Sequence, residues 1–238
     1  MEDKQPDNAP GQALLTFGKT FGRAGGRPLS TRQKGFFADL YPRIEIPIAP
    51  ANSLDPSTLF DHDPAEIWFE IGFGGGEHLT GQAQRHPQIG SIGVEPFAEG
   101  VGKALTQISE LELTNVRLNR GDARDVLLGL KDETLDRIFI MFPDPWPKTR
   151  HHKRRIVQHD SVALFVSKLK PGGRLRFATD VMHYAAWALE RFCANDRLDW
   201  TATAADDWRI PPQDHVTTRY QTKNLGDCKP VYFDFIRL

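Results

Sequence analysis

Short apolar segments alternate with longer mixed segments from residue 66 onward, and this alternation constrains the fold more than any other feature. The predicted strands are residues 67–71, 91–95, 116–119, 136–142 and 174–179. Apolar residues recur at helical spacing in residues 77–85, 97–111, 155–169 and 182–194. This rhythm is typical of βαβ units, so the sequence predicts an α/β fold with a doubly wound, mostly parallel sheet.

The C-terminal part breaks the alternation. Residues 200–203 and 231–238 have strand patterns, and a long polar segment without helical spacing separates them. Two late strands without a helix between them predict an antiparallel pair at the edge of the sheet. The complete prediction is a seven-stranded sheet with an antiparallel C-terminal strand.

The chain has 238 residues, of which 39% are hydrophobic, and this is enough for one large core. We expect an N-terminal basic arm at residues 1–60 and the main domain at 61–238. The polar residues 1–12 are expected to be disordered. Residues 13–60 carry irregular Gly and Pro positions, so we expect little regular structure there.

The net charge is -1, so any contact with a polyanion must come from local clusters of cations. Only Cys193 and Cys228 are present. Their number favours a reducing compartment and leaves one long-range disulfide open. The sequence has no secretory signal pattern and no apolar run of about 18 residues, so we expect a cytoplasmic protein without a membrane span.

The most informative loop follows the predicted strand at 136–142. Asp144 lies between Pro143 and Pro145, and prolines restrict their own φ and the residue before them, so this loop is stiff. Residues 146–155 then contain five Lys/Arg, two His and no acid. Such a run is typical of phosphate contact, although a solvated basic helix face is the simpler alternative.

A glycine-rich turn follows the first predicted strand and contains Gly72, Gly74 and Gly76. Such turns occur in dinucleotide enzymes and in enzymes that use S-adenosylmethionine (SAM), and an unliganded turn is also possible. The dinucleotide pattern GxGxxG would require a third glycine where this chain has Glu77. Glu70 adds negative charge next to the turn, which favours the cationic SAM over a pyrophosphate.

Further acids stand near the ends of the next strands. Glu95 is well placed to accept hydrogen bonds from a ribose, and Asp122 with the backbone of Ala123 can contact an adenine ring. A helix-capping or surface role is the alternative for any one of them. With Glu70 and Asp144 they form a series at the strand ends, where open α/β sheets bind ligands.

These motifs resemble those of the bacterial tRNA (guanine-N7-)-methyltransferases, which have the class I SAM-dependent methyltransferase fold, a Rossmann-like fold. The resemblance runs from about residue 17 to the C-terminus. Its most specific part is FPDPWPK at 142–148, followed by HHKRR and by FATD at 177–180. The glycine loop EIGFGGG and the N-terminal RxxGR at 23–27 are also similar.

The resemblance implies a role for each matching residue. The cofactor residues would be Glu70, Gly72, Gly74, Gly76, Glu95, Asp122, Ala123 and Asp144, with Asp144 also at the reaction centre. The substrate-binding residues would be Lys148, Asp180, Thr218, Arg219, Tyr220 and Gln221. The RNA contacts would be Arg150, His151, His152, Lys153, Arg154, Arg155, Arg23 and Arg27. Gln221 replaces a glutamate of the family motif, so it keeps a hydrogen-bond acceptor and loses the charge.

The implied activity is methyl transfer from SAM to N7 of guanosine 46 in the variable loop of tRNA. A SAM-dependent enzyme acting on another RNA, an NAD-dependent oxidoreductase and a non-catalytic RNA-binding module remain alternatives. His151 and His152 stand beside three cations, which favours an RNA-facing surface and no metal site. The expected partners are tRNA and SAM, and no pattern requires a protein partner.

Overall fold

The computed structural model describes residues 28–223 and 225–238. Arg23, Arg27 and the start that we expect to be disordered lie outside the described residues. The strands are β1 (Ile67–Ile71), β2 (Gly90–Val94), β3 (Val116–Asn119), β4 (Leu135–Met141), β5 (Leu169–Thr179), β6 (Leu198–Trp200) and β7 (Val231–Arg237). The α-helices are α1 (Thr31–Asp39), α2 (Tyr41–Ile44), α3 (Glu77–Arg85), α4 (Ala98–Glu110), α5 (Ala123–Gly129), α6 (His159–Lys168), α7 (Met182–Cys193) and α8 (Asp206–Arg209). Short 3-10 helices span Pro56–Leu59, Thr149–Arg154 and Gln221–Lys223.

The strands form one seven-stranded sheet in the order β3-β2-β1-β4-β5-β7-β6. The pairs from β3 to β5 are parallel, while β7 is antiparallel to both β5 and β6. This confirms the predicted fold class. The strand order reverses at β1, so β1 and β4 flank the switch point where open α/β sheets bind ligands.

Helices cover the sheet because the inner strands are apolar on both faces. All residues of the inner strands β1 and β2 are buried, and so are those of β3 at the edge of the sheet. Alternate residues of β1 serve different clusters: Phe69 packs with residues of α5, α6 and α7, whereas Trp68 packs on the opposite face near Phe139. Leu79 of α3 and Leu105 of α4 belong to a further cluster with β3. Side chains alternate between the faces of a strand, so these clusters define a doubly wound sheet.

Most predicted elements lie within one or two residues of the observed ones, and three differ more. The predicted strand 200–203 is observed as β6, which ends at Trp200. The predicted helix 155–169 begins only at His159, where the Gln158 N–H donates to the Ser161 hydroxyl at the start of the helix. The preceding cationic residues form the 3-10 helix Thr149–Arg154. Helix α5 was not predicted, since its seven residues are too short for a periodic pattern. Strand β5 begins at Leu169, five residues before the predicted start.

The expectation of little regular structure in residues 13–60 is wrong for the part beginning at Ser30. Ser30 and Gln33 form a capping box that starts the nine-residue helix α1. Ile46 is fully buried, and its N–H donates to the carbonyl of Leu118 in β3. A domain boundary at residue 60 stays a prediction, although this part of the arm packs firmly on the sheet. Both cysteines are free thiols. In the described part of the chain, no helix is long and apolar enough to span a membrane.

Candidate active site

A row of carboxylates lies along one edge of the sheet, because parallel strands end on the same side. From β3 to β5 the acids follow in the order Asp122, Glu95, Glu70, Asp144 and Asp180. Four of these residues are at most 8% exposed, whereas Asp144 is exposed at the tip of its loop. The edge therefore concentrates negative charge around the switch point of the sheet.

The glycine-rich turn between β1 and α3 has the backbone that the sequence predicts. Gly72, Gly74 and Gly76 have φ values of 69°, 56° and 88°, in the left-handed region that favours glycine. A Cβ atom on Gly72 or Gly74 would meet no other atom within 4 Å. The outer side of the turn is thus open space into which a ligand can approach the backbone.

Glu95 lies beside this open turn. Its two carboxylate oxygens accept hydrogen bonds from the N–H groups of Gly74 (2.9 Å) and Phe97 (3.0 Å). Burial raises the pKa of Glu95 to about 7, and the charges of Asp144 and Glu70 add to the rise against the effect of the two N–H donors. Glu95 is therefore held in place and is poised to change protonation near neutral pH.

Glu70 has a buried partner that sequence reasoning missed. Nδ1 of His78, in the first turn of α3, lies 2.7 Å from Oε2 of Glu70, and both side chains are at most 3% exposed. The His78 ring packs edge-on against Phe139 of β4 at 4.9 Å. The pair links the end of β1 to the start of α3. The sequence signal that could have indicated this contact is the position of His78, two residues after the glycine turn.

Asp122 is the N-cap of α5, and its side chain accepts hydrogen bonds from the backbone and guanidinium of Arg124. The capping alternative for this residue is therefore observed. An adenine contact stays a prediction, since a carboxylate has further acceptor positions. Ala123 begins α5, where backbone N–H groups lack partners within the helix.

Asp144 lies at the tip of the loop that follows β4. Phe142 and Trp146 on either side have positive φ values of 52° and 43°, which are unusual for residues with bulky side chains. The charge of Asp144 helps to raise the pKa of both Glu95 and Tyr220. The loop thus brings Asp144 close to the predicted cofactor side and to the C-terminal segment.

Asp180 and Tyr220 lie on the other side of that loop. The Tyr220 hydroxyl donates to Oδ1 of Asp180 at 3.4 Å, and its ring lies 5.7 Å from the ring of Phe142. Burial raises the pKa of Tyr220, and the Asp180 carboxylate raises it further. Lys148 is exposed at the start of the neighbouring 3-10 helix. Three of the predicted substrate residues, Lys148, Asp180 and Tyr220, therefore lie near the Asp144 loop.

Thr218 and Gln221 bond to each other and close the C-terminal segment. The Thr218 N–H donates to Oε1 of Gln221 at 3.0 Å, and the Gln221 N–H lies 3.4 Å from the Thr218 hydroxyl. The Gln221 amide also donates to the hydroxyl of Tyr232 at 3.1 Å. The Gln221 side chain thus makes contacts within the protein, whereas Arg219 is exposed.

Asp214 anchors the same segment to the sheet, which sequence reasoning also missed. Its carboxylate accepts hydrogen bonds from Arg137 of β4 (2.9 Å) and Arg176 of β5 (2.5 Å). Burial alone would raise the pKa of Asp214, but these two guanidinium groups hold it below its ordinary value. These ion pairs attach Asp214 to two neighbouring strands of the sheet.

The cationic segment divides into exposed and buried members. Arg150 and Lys153 are exposed, His151 and His152 are half-buried, and Arg154 lies over the Trp146 ring at 5.0 Å. Arg155 departs from its predicted role, because only 2% of it is exposed and its guanidinium is enclosed by protein. The burial of Arg155 therefore argues against an RNA contact at this residue. RNA contact by residues 150–154 stays a prediction.

Comparison with known proteins identifies the family. Residues 64–233 match the model of a family described as "Putative methyltransferase". A tRNA (guanine-N(7)-)-methyltransferase of Hyphomonas neptunium is 53% identical over 91% of this chain and 98% of its own length. Those of Caulobacter vibrioides and Rhodospirillum rubrum are 49% and 45% identical over 92% and 91% of this chain and 95% and 87% of their lengths. The chain belongs to this methyltransferase family.

Solved structures support the fold of this methyltransferase. The 16S rRNA methyltransferase KamB superposes with a TM-score of 0.54 at 10% identity, covering 73% of this chain and 88% of its own. An rRNA methylase from Streptococcus thermophilus gives 0.50 at 14% identity, covering 77% and 92%. The architecture is that of the class I methyltransferases.

Proposed function

We propose that this methyltransferase transfers the methyl group of SAM to N7 of guanosine 46 in the variable loop of tRNA. One observation carries the proposal: the edge at the switch point of the sheet combines an open glycine turn, buried carboxylates and an exposed acid, and exposed cations follow directly. The tRNA (guanine-N(7)-)-methyltransferase relatives support the choice of substrate. Activity on tRNA would take place in the cytoplasm.

The donor set fits SAM. The space beside Gly72 and Gly74 can admit a ligand to within contact of the backbone. The Glu95 carboxylate has acceptor positions left for a ribose diol, since each of its oxygens accepts one hydrogen bond from the protein. Glu70 and Asp144 add negative charge that suits a cation. When bound, SAM supplies an electrophilic methyl group on a positively charged sulfur.

The residues of the site need only position guanine and stabilise charge. N7 of guanine has an in-plane lone pair and no proton, so no general base is required, and alignment is the main task. Positive charge develops on the imidazole ring of the base during transfer. The carboxylate of Asp144, fixed in a stiff loop at this edge, can stabilise that charge electrostatically.

Asp180 and Tyr220 are the best candidates to hold the guanine. The Asp180 carboxylate can accept hydrogen bonds from the N1–H and amino group of the base, and Tyr220 orients that carboxylate by donating to Oδ1. Lys148 can bind a phosphate or the base oxygen from the exposed rim. These three groups lie around Asp144, so the base would present N7 to the centre of the site.

The exposed cations Arg150 and Lys153 support an RNA backbone as the partner. Guanine N7 lies in the major groove, which is deep and narrow in RNA helices, so the target base must be unpaired or splayed out. A variable loop in folded tRNA offers such a base. Another RNA with an accessible guanosine remains the second candidate, favoured by the same surface.

An NAD-dependent oxidoreductase is disfavoured, because Glu77 occupies the position of the third glycine that a pyrophosphate requires. Calorimetric titration with SAM and with NADH distinguishes a SAM-dependent methyltransferase from an NAD-dependent oxidoreductase. A non-catalytic RNA-binding module would not explain the buried carboxylate of Glu95 beside the glycine turn. Methyl transfer to RNA excludes that module.

The decisive experiment measures transfer of labelled methyl from SAM to unmodified tRNA, followed by mapping of the modified base. A transcript with adenosine at position 46 should accept no label. Asp144→Ala should lose most turnover and keep its fold, whereas Asp199→Ala, which removes an exposed acid from β6, should behave as wild type. Label on a different guanosine of tRNA would refute position 46, and label on another RNA instead of tRNA would favour the second candidate.

A further inference from the structure

Arg155 is the buried exception in a segment of cations. It is 2% exposed, although Arg150 and Lys153 of the same segment are exposed. Arginine is among the residue types that are almost never fully buried unless paired. Its burial therefore requires an explanation that an RNA-contact role does not give.

The guanidinium of Arg155 lies in a box made by α7 and the Asp144 loop. Its carbon lies 4.8 Å from the ring centres of both Tyr184 and Trp187, at cation–π distance. One terminal nitrogen lies 3.0 Å from Nδ1 of His183. Its Nε donates to the backbone carbonyl of Pro145 at 2.8 Å. The contacts thus connect one helix to one carbonyl of the loop.

That carbonyl belongs to the residue directly after Asp144. The loop is stiff because of its prolines, so holding the Pro145 carbonyl also limits where the Asp144 carboxylate can lie. Phe142 and Trp146 adopt left-handed backbone conformations that persist only where surrounding structure enforces them. The Arg155 hydrogen bond is a restraint of this kind.

The box gives Arg155 few stabilising hydrogen bonds. Within the described chain, its Nη1 is buried without a hydrogen-bond partner. A buried cation that leaves a donor unsatisfied is a poor source of stability, since desolvating it is costly. Such a group is better explained by the geometry that it enforces than by the energy that it adds.

We propose that Arg155 is a positioning residue of the methyltransferase: its guanidinium, fixed between Tyr184 and Trp187, holds the Pro145 carbonyl and thereby places Asp144 at the reaction centre. The inference rests on the proposed function for its catalytic consequence. Its structural consequence, a restrained loop at residues 142–148, holds whatever the substrate is.

The test uses Arg155→Met, which keeps an apolar side chain but removes the N–H group that donates to the Pro145 carbonyl. Two control variants replace other cationic residues by methionine. Lys153→Met removes an exposed cation from the same segment. Arg209→Met removes an exposed arginine that lies 4.5 Å over Trp208, on α8, which packs against β7. Each variant is assayed for kcat at saturating tRNA and SAM, for tRNA affinity at several salt concentrations, and for hydrogen exchange of residues 142–148.

For Arg155→Met we expect kcat to fall about 100-fold, because misplacing a catalytic group by about 1 Å has that effect. Its tRNA affinity and salt dependence should match wild type, and exchange in the loop should accelerate. Lys153→Met should weaken tRNA binding and lower its salt dependence by about one unit of slope. Arg209→Met should leave kcat and loop exchange unchanged.

Arg155→Lys keeps the proposal testable if the methionine variant does not fold. Lysine can donate to the Pro145 carbonyl but cannot stack as a planar fork, so we expect partial recovery of kcat with wild-type tRNA affinity. A folded Arg155 variant with normal kcat and normal loop exchange overturns the proposal. So does a reduced salt slope, which would return Arg155 to the RNA surface. A wild-type protein that methylates no tRNA would instead refute the proposed function, and loop exchange would still test Arg155.

Discussion

The raised pKa of Glu95 predicts that SAM affinity depends on pH near neutrality. Burial and neighbouring acids raise this pKa from 4.5 to about 7. Hydrogen bonds from a ribose and a nearby positive sulfur favour the ionised carboxylate, so SAM should bind the deprotonated form better. Raising the pH through 7 should therefore strengthen binding, and binding at pH 7 should release protons.

The size of the effect follows from the fraction of ionised Glu95. With a pKa of about 7, about one tenth is ionised at pH 6 and about nine tenths at pH 8, so Kd should change about tenfold, or about 1.4 kcal/mol. With the ordinary value of 4.5, the same change of pH would alter Kd by only about 3%. The two cases are easily separated.

Isothermal titration in buffers of different ionisation enthalpy measures both Kd and the number of protons released. Glu95→Gln is the matched control, because its amide cannot titrate. The control is needed because the amino group of SAM titrates near pH 8 itself. A wild-type Kd that follows the same pH curve as that of Glu95→Gln would refute the reasoning, and Glu95 would then be ionised throughout or absent from the ribose site.

Three further predictions concern the surroundings of the site. Asp214→Asn should lower the free energy of unfolding by about 1–3 kcal/mol at pH 7; the depressed pKa means that this difference shrinks as pH falls below about 4, which thermal melts can follow. Gly226→Ala should reduce kcat/KM for tRNA with little change in SAM affinity, since its Cβ would lie 2.2 Å from the carbonyl oxygen of Asp180. Arg150→Ala with Lys153→Ala should lower the slope of log K against log salt by up to about two units in filter-binding assays, and an unchanged slope would mean that these cations contact no phosphate.

Local patterns predicted the sheet well. The bounds predicted for residues 67–71 and 77–85 are those of β1 and α3. The apolar run and the helical spacing are separated by glycines, which mark the end of the strand and the start of the helix. The edge position of the acids followed from the strand ends alone. Helix α1 could also have been found, since Ser30 and Gln33 have the spacing of a capping box.

Contacts between distant segments were outside the reach of pattern reasoning. Arg155 stands in a run of cations, and its burial depends on Tyr184 and Trp187 about thirty positions later. Asp214 lies in a polar stretch that carries no periodic signal, and its partners belong to two different strands. A run of charged residues in the sequence indicates an exposed surface. A cation such as Arg155, which the fold buries, is therefore wrongly predicted to be exposed.

The acidic edge also has a consequence for the end of the catalytic cycle. Glu70, Glu95 and Asp144 lie close enough for the first and last to raise the pKa of Glu95, so their field favours a positively charged ligand. In the proposed reaction the sulfur of the spent cofactor is a neutral thioether, so the attraction between the sulfonium and these carboxylates would be lost, while hydrogen bonds to the ribose would remain. If these residues bind the cofactor as proposed, they would bind fresh cofactor more tightly than its neutral by-product, which would limit product inhibition.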